Sequence, residues 1–257
     1  MLFEQLKWPD LSSVSQCVFV IPLGSLEQHG PHLPLATDSW IVGEIARRLE
    51  SKAQEEIVLL PTQWLGHSPH HRKFGCVSLD VRPYMDLIGG LCRSLVHLGA
   101  RRIFLLNGHG GNDVPVRAAL REVKDVFPDL RELYVAFASY WSLAATSFAE
   151  IRDSPKGGMG HACEMETSVL LAIHPEHVDM QKAAADGLAS DSPWLQHDML
   201  SGQPYYLVND FDEITRTGVF GMPQFASAEK GERFLMAAVD STLTFIREFR
   251  SWNYQER

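Results

Sequence analysis

Apolar positions along the chain fall into two alternating patterns. Residues 17–24, CVFVIPLG, are a nearly unbroken apolar run, as expected of a strand buried on both faces. Residues 39–50 continue with helical spacing, and EIVLLP at 56–61 is the next strand. Between 83 and 98, Met85, Leu87, Ile88, Leu91, Leu95 and Leu98 recur at three- and four-residue steps, which predicts a helix. RRIFLLN (101–107) is a third buried strand, 114–126 a helix, and ELYVAFASYW (132–141) a fourth strand that ends on Trp141. Further helices are expected over 164–174 and 228–249. Strands alternating with helices predict an α/β fold of three layers, α/β/α, with a mostly parallel sheet and right-handed crossovers. Periodicity is weak between 175 and 222, and no repeat or linker interrupts the chain, so one domain over residues 1–257 is expected.

Composition narrows the function classes. At 257 residues and 45% hydrophobic content the chain can bury a full core. Its net charge of −9 is spread out, with no basic stripe, which excludes nucleic acid as a partner. No apolar stretch reaches the roughly 20 residues of a membrane helix, and MLFEQLKWPDL lacks the features of a signal peptide. A cytoplasmic protein with no membrane partner is therefore expected. Cys17, Cys76, Cys92 and Cys163 form no CxxC pair, which argues against disulfides and a thiolate zinc site.

The polar chemistry collects after the strands. EQHGPHLPLATD (27–38) comes after the first strand and NGHGGND (107–113) after the third, where open α/β sheets gather their ligands. Glu27 and His29, at i and i+2, point to one side of an extended backbone. Asp38 arrives from the far end of its loop, suited to bridge two ions, and His109 supplies an imidazole from the other loop. GHACEMETS (160–168) adds His161, Glu164 and Glu166 at the start of a helix. With Glu166 the set is two His and three carboxylates without thiolate, which suits two divalent ions such as Zn²⁺, Mn²⁺ or Fe²⁺. Plainer readings stand beside this one. HGPH is a possible turn, NGHGGN a possible phosphate loop, and Glu164 and Glu166 suit a helix N-terminus by charge alone.

PLGSLEQHGPHLPLATD, NGHGGN, GHACEMETS and the C-terminal TGVFGMPQFASAEKG, in this order, resemble the creatininase family of metal-dependent amidohydrolases. The resemblance spans nearly the whole chain. It implies a three-layer creatininase-like fold, two metal ions per chain, hydrolysis of a non-peptide or cyclic amide C–N bond, and a homohexamer acting on a small-molecule amide. By position, Glu27, Asp38 and His109 would hold one ion, His29, Asp38 and a glutamate the other, and His161 would shuttle the proton.

The departures bear on the substrate. Creatininases proper carry Tyr and a metal-binding Glu where this chain has Gly110 and Gly111. The fifth ligand is then assigned to Glu166, with Glu164 as the alternative ligand or a second catalytic group beside His161. Creatininases proper also place a covering Trp before the shuttle histidine, where this chain reads KGGMG, a flexible stretch that leaves the space open. Gly110, Gly111 and Trp141 are expected to line the substrate pocket with the 65–75 segment. Within that segment His71 is read as a substrate contact, and His67, His70 and His71 together as an alternative metal site. The NGHGGN form resembles the broader branch that includes a formamide deformylase and a peptidase of cofactor biosynthesis. A non-enzymatic, metal-stabilised binding protein is the remaining class.

Overall fold

The computed structural model describes residues 1–187, 192, 194–195, 198–201 and 205–253. Its strands are β1 (Val18–Leu23), β2 (Leu26–Glu27), β3 (Ile57–Leu59), β4 (Cys76–Val77), β5 (Arg102–Asn107) and β6 (Tyr134–Ser139). The helices are α1 (Thr37–Lys52), α2 (Val81–His97), α3 (Asp113–Val126), α4 (Tyr140–Leu143), α5 (Ala145–Ile151), α6 (Glu164–Ile173), α7 (Phe211–Ile214) and α8 (Ala228–Ser251). β1, β3, β5 and β6 form one parallel sheet in the order β3-β1-β5-β6, so the predicted three-layer α/β/α architecture is the observed one.

Alternation within the strands divides the core in two. Val18, Val20, Phe104 and Leu106 face α1, α6 and α8, while Phe19, Ile21, Ile103 and Leu105 face α2 and α3. Both faces are covered, which is why these strands read as continuous apolar runs. The chain leaves β1 for β3 on one side and returns to β5 on the other. The carboxyl ends of β1 and β5 thus flank the topological switch point, where a crevice opens.

Two expectations change at the boundaries, and one pairing is new. The fourth strand stops at Ser139, and Trp141 lies in α4 instead of ending the strand. α1 begins at Thr37, so Asp38 sits in a helical first turn rather than a loop, where the positive end of the helix dipole favours its charge. The two-residue strands β2 and β4 pair antiparallel, Glu27 opposite Cys76, and tie the Glu27 segment to the histidine-rich one. Two residues are too few for any periodicity to show.

Helix α8 lies against α6 at Gly231, where an added Cβ would come within 1.9 Å of the Ser168 carbonyl oxygen. Gly90, inside α2, has only the Arg93 side chain near it, at 4.0 Å. Helix propensity alone favours alanine at both positions. Gly90→Ala is expected to stabilise by about 0.5–1 kcal/mol, whereas Gly231→Ala is expected to destabilise by about 1–3 kcal/mol because backbone must shift. Denaturant midpoints of the two variants test this, and a shift of the same sign in both would refute the close α6–α8 contact.

Candidate active site

The loops at the carboxyl ends of β1 and β5 build the site. Register pairs Leu23 with Asn107 and Asn107 with Ser139, which aligns the exits of three strands. Asn107 Nδ2 donates to the His109 carbonyl at 2.7 Å and to Ser139 Oγ at 3.0 Å, and its Oδ1 accepts from the His109 amide at 3.2 Å. Asn112 Nδ2 donates to the Gly24 carbonyl at 3.1 Å, while its Oδ1 accepts from the His67 amide at 3.0 Å. The two asparagines of the NGHGGN stretch therefore join three loops, and no chemistry of their own is needed to explain them.

Within this frame Glu27, His29, Asp38 and His109 are buried together. Asp38 stands between two imidazoles, Oδ1 at 3.0 Å from His29 Nε2 and Oδ2 at 3.0 Å from His109 Nδ1, with Ser25 Oγ donating to Oδ2 at 2.8 Å. Glu27 Oε1 lies 3.1 Å from His71 Nε2, and Oε2 lies 3.2 Å from His109 Nε2. Glu166, His29 and His161 bring ligand atoms within 4.8 Å of one another, as do Glu27, His29 and Asp38. All five residues expected to hold metal thus converge with His161, from three separate parts of the chain.

Glu164 does not join them. Its buried carboxylate is 2.6 Å from Lys230 Nζ and accepts from the amides of Asp153 and Ser154 at 2.9 and 2.8 Å. The expectation that Glu164 is catalytic, or a ligand, is corrected: it anchors the loop that leads to His161. That loop is not a flexible stretch either. Gly157 donates to Asp198 Oδ2 at 2.8 Å, Met222 to the Gly158 carbonyl at 3.0 Å, and Met199 to the Met159 carbonyl at 2.7 Å. His161 itself exchanges backbone bonds with Phe220, at 2.8 and 2.9 Å. The next residue, Ala162, takes a positive φ of 52°, a conformation that costs a non-glycine residue energy and is often found at functional sites.

Burial and charge set the protonation pattern. Burial pushes the Glu27 and Asp38 carboxyls up, but the neighbouring imidazoles outweigh it and hold both below the usual carboxylate range. His29 moves the other way, with burial overcome by Asp38, and rises to about 9; His109 is likewise raised by Glu27 and Asp38. His161 is held low by burial first and then by the charge of the neighbouring His29, so it is neutral near pH 7. Burial drives the Glu166 carboxyl up to about 7, only partly countered by the charge of His29 and by the hydrogen bond it accepts from the Cys163 amide at 3.2 Å.

Gln28 carries no signal in the sequence, where it only separates Glu27 from His29. Its amide donates to His71 Nδ1 at 2.8 Å and to the Gly218 carbonyl at 3.1 Å, which uses both hydrogens. His71 Nε2 is then the protonated nitrogen and donates to Glu27. His71, read from the sequence as a substrate contact, lines the cavity, with both nitrogens engaged and Phe211 stacked on its ring at 3.9 Å. His67 turns to the Leu79 carbonyl at 3.0 Å, while His70 groups with Glu27 and His109. Three histidines forming a site of their own are thus not found among the described residues. Phe211 is a second residue that sequence reasoning misses; the Asp210–Glu213 capping box of its short helix is the available signal.

A cavity of about 550 Å³ opens over this cluster, and Gly110, Gly111 and Trp141 are among the residues that line it. The two glycines differ. A Cβ on Gly111 would lie 2.2 Å from the His67 carbonyl oxygen and 2.4 Å from His109 Nε2, while one on Gly110 meets nothing within 4 Å. Gly111→Ala is expected to displace His109 and lower activity and metal content by about 10-fold or more, the scale set by losing a group that orients a ligand. Gly110→Ala is expected to keep both within about 2-fold. Equal behaviour of the two variants in metal analysis would contradict this packing.

The comparisons agree with one another. Residues 4–246 match the creatininase family model, described as creatinine amidohydrolase. The chain is 34% identical over 242 residues to the mycofactocin precursor peptide peptidase of Mycobacterium tuberculosis, covering 91% of this chain and 84% of that one. It is 26% identical over 261 residues to the creatinine amidohydrolase of Pseudomonas putida, covering 95% of each. A crystal structure of creatininase superposes with a TM-score of 0.81 at 24% identity, over 96% of this chain and 97% of that one.

Proposed function

The chain belongs to the creatininase family, and from that premise we propose that it hydrolyses an amide C–N bond in a substrate bulkier than creatinine, such as a peptide end, with two divalent ions held by Glu27, His29, Asp38, His109 and Glu166. The observation that carries the metal reading is Glu27 Oε2, a buried carboxylate oxygen that makes no hydrogen bond although His109 Nε2 lies 3.2 Å away, inside a set of imidazoles and carboxylates. Burying such an atom is costly unless a cation meets it. The donor set is oxygen and nitrogen with no thiolate, which fits Zn, Mn or Fe. Asp38, whose two oxygens face His29 and His109 separately, is the bridging candidate. Two ions so held would lower the pKa of a water and polarise the amide carbonyl.

The protein's own groups supply the rest. His161 Nε2 lies 2.7 Å from the Gln28 carbonyl oxygen, which can only accept, so that nitrogen carries the hydrogen. Nδ1 is left as the basic nitrogen, 3.7 Å from Glu27 Oε1. His161 accepts a proton there from the attacking water and returns it to the leaving nitrogen. Phe211 covers His161 at 4.6 Å between ring centroids and keeps bulk water away. The cavity of about 550 Å³ supports a bulkier substrate, since a single five-membered ring would leave most of it empty. The greater identity to a peptide peptidase than to a creatinine amidohydrolase supports the same choice. Four unpaired cysteines suit a cytoplasmic enzyme. Assembly as a homohexamer is part of this reading through the family alone.

Metal analysis of the purified protein is expected to give close to two ions per chain, reduced at both sites in Asp38→Ala. His161→Ala is expected to keep its metal while turnover falls by about 10²-fold or more. Loss of metal from His161→Ala would make His161 a ligand, and activity in a metal-free preparation would end the proposal. Creatinine is expected to be a poor substrate beside short peptides under equal metal loading. A kcat/KM for creatinine near the roughly 10⁴ M⁻¹s⁻¹ lower edge of ordinary enzymes would reverse that choice.

A further inference from the structure

Five imidazoles gather around Glu27 and Asp38, and four of them have hydrogen-bond partners. His29 Nε2 faces Asp38, while its Nδ1 donates to the Glu27 backbone carbonyl at 3.1 Å. His71 joins Gln28 to Glu27, and His161 bonds the Gln28 carbonyl. His109 Nε2 lies 3.1 Å from the His67 carbonyl oxygen, which can only accept, so that nitrogen carries a hydrogen. Once an ion binds, Nδ1 of His109, 3.0 Å from Asp38 Oδ2, is the nitrogen left to hold it.

His70 is the fifth. Among the described residues its ring nitrogens have no hydrogen-bond partner, although the residue is only partly exposed and lines the cavity. One of those nitrogens lies within 4.8 Å of a Glu27 carboxylate oxygen and of a His109 nitrogen. The ring is parallel to that of His109, with 5.7 Å between centroids, and sits 4.4 Å from the His71 ring and 5.8 Å from Phe211. Position 111 leaves room for this arrangement: a Cβ there would fall 2.6 Å from His70 Cε1 and 2.4 Å from His109 Nε2. The short turn Pro69–His71 helps to set the ring in place, because proline fixes φ at its first position.

Two unsatisfied groups thus stand close together. Glu27 Oε2 makes no hydrogen bond, and His70 offers an imidazole with no partner. His109 does not fill the gap between them, since its Nε2 hydrogen is turned to His67. A carboxylate oxygen and an imidazole nitrogen together suit Zn²⁺ and similar divalent ions. We propose that His70 is a further metal ligand, binding the ion that meets Glu27 Oε2. This rests on the two-metal reading above and adds one residue to its ligand set.

The test uses the purified full chain, with zinc affinity measured by competition with a chelator and the bound ions then exchanged for cobalt(II). In His70→Ala and in His70→Gln, which keeps most of the ring's volume, one of the two ions is expected to bind at least about 10-fold more weakly, the lower end of what losing even an outer partner of a ligand costs. Proton NMR of each cobalt-loaded variant is expected to show one contact-shifted imidazole proton fewer than the unaltered protein. Two ions bound by the unaltered protein, with undiminished affinity in both variants, would overturn the role of His70 alone; a raised KM in that case would make it a substrate contact. Weakened affinity with the full number of shifted imidazole protons would make His70 a support for Glu27 and would likewise overturn the proposal. An unaltered protein that binds no metal would refute the two-metal reading itself.

Discussion

The structure turns on the burial of two carboxylates. Glu27 and Asp38 are removed from water almost completely, a state that opposes folding strongly unless cations or donors surround the charge. His29, His71, His109 and Ser25 provide that surrounding, from the loops beyond β1 and β5 and from the 65–75 segment. Satisfying the two acids therefore ties β1, β5 and the 65–75 segment into a single arrangement. One oxygen of Glu27 makes no hydrogen bond, with His109 Nε2 3.2 Å away.

The surrounding fold keeps this cluster in register. Parallel pairing of β1 with β5 sets Leu23 beside Asn107, and the side chains of Asn107 and Asn112 carry that alignment outward into the loops. On the opposite side, Lys230 of α8 reaches Glu164 of α6 and Asp153, so the long C-terminal helix holds the loop that precedes His161. Burial tends to raise the Glu164 carboxyl, but Lys230 and the Ser154 bonds bring it below its ordinary value of 4.5. Its contribution is thus present above that pH and is lost as pH falls through the lowered value. Acid would loosen the His161 loop through a group bonded to Lys230 and to the amides of Asp153 and Ser154.

Polar and apolar side chains meet in the cavity. Phe211, stacked on His71 and near His161, lowers the local dielectric, so each electrostatic contact there is stronger than it would be in water. His161 is kept neutral by burial and by the charge of the neighbouring His29, and the Gln28 carbonyl decides which of its nitrogens is free. Gln28 itself is confined by Gly218, whose φ of 89° permits no ordinary side chain and whose Cβ would strike the glutamine.

Strands buried on both faces declare themselves in the sequence as unbroken apolar runs, because parallel sheets are covered by helices on each side, and the β-α alternation then leaves few topologies. Glu27, His29, Asp38 and His109 stand out in the sequence as polar groups after buried strands, and Glu166 as an acid at a helix start; the structure brings the five together. Tertiary structure decided what local pattern cannot carry. Glu164 and Glu166 are two residues apart and alike in type, yet Lys230, 66 positions away from Glu164, claims one, and the cluster around His29 receives the other. Gly110 and Gly111 are adjacent and identical, but only the second lies against His109. Gln28 and Phe211 became functional candidates through neighbours distant in sequence, His161 for one and His71 for the other. Pattern records what a residue prefers, whereas the partner it meets depends on how the strands and helices pack.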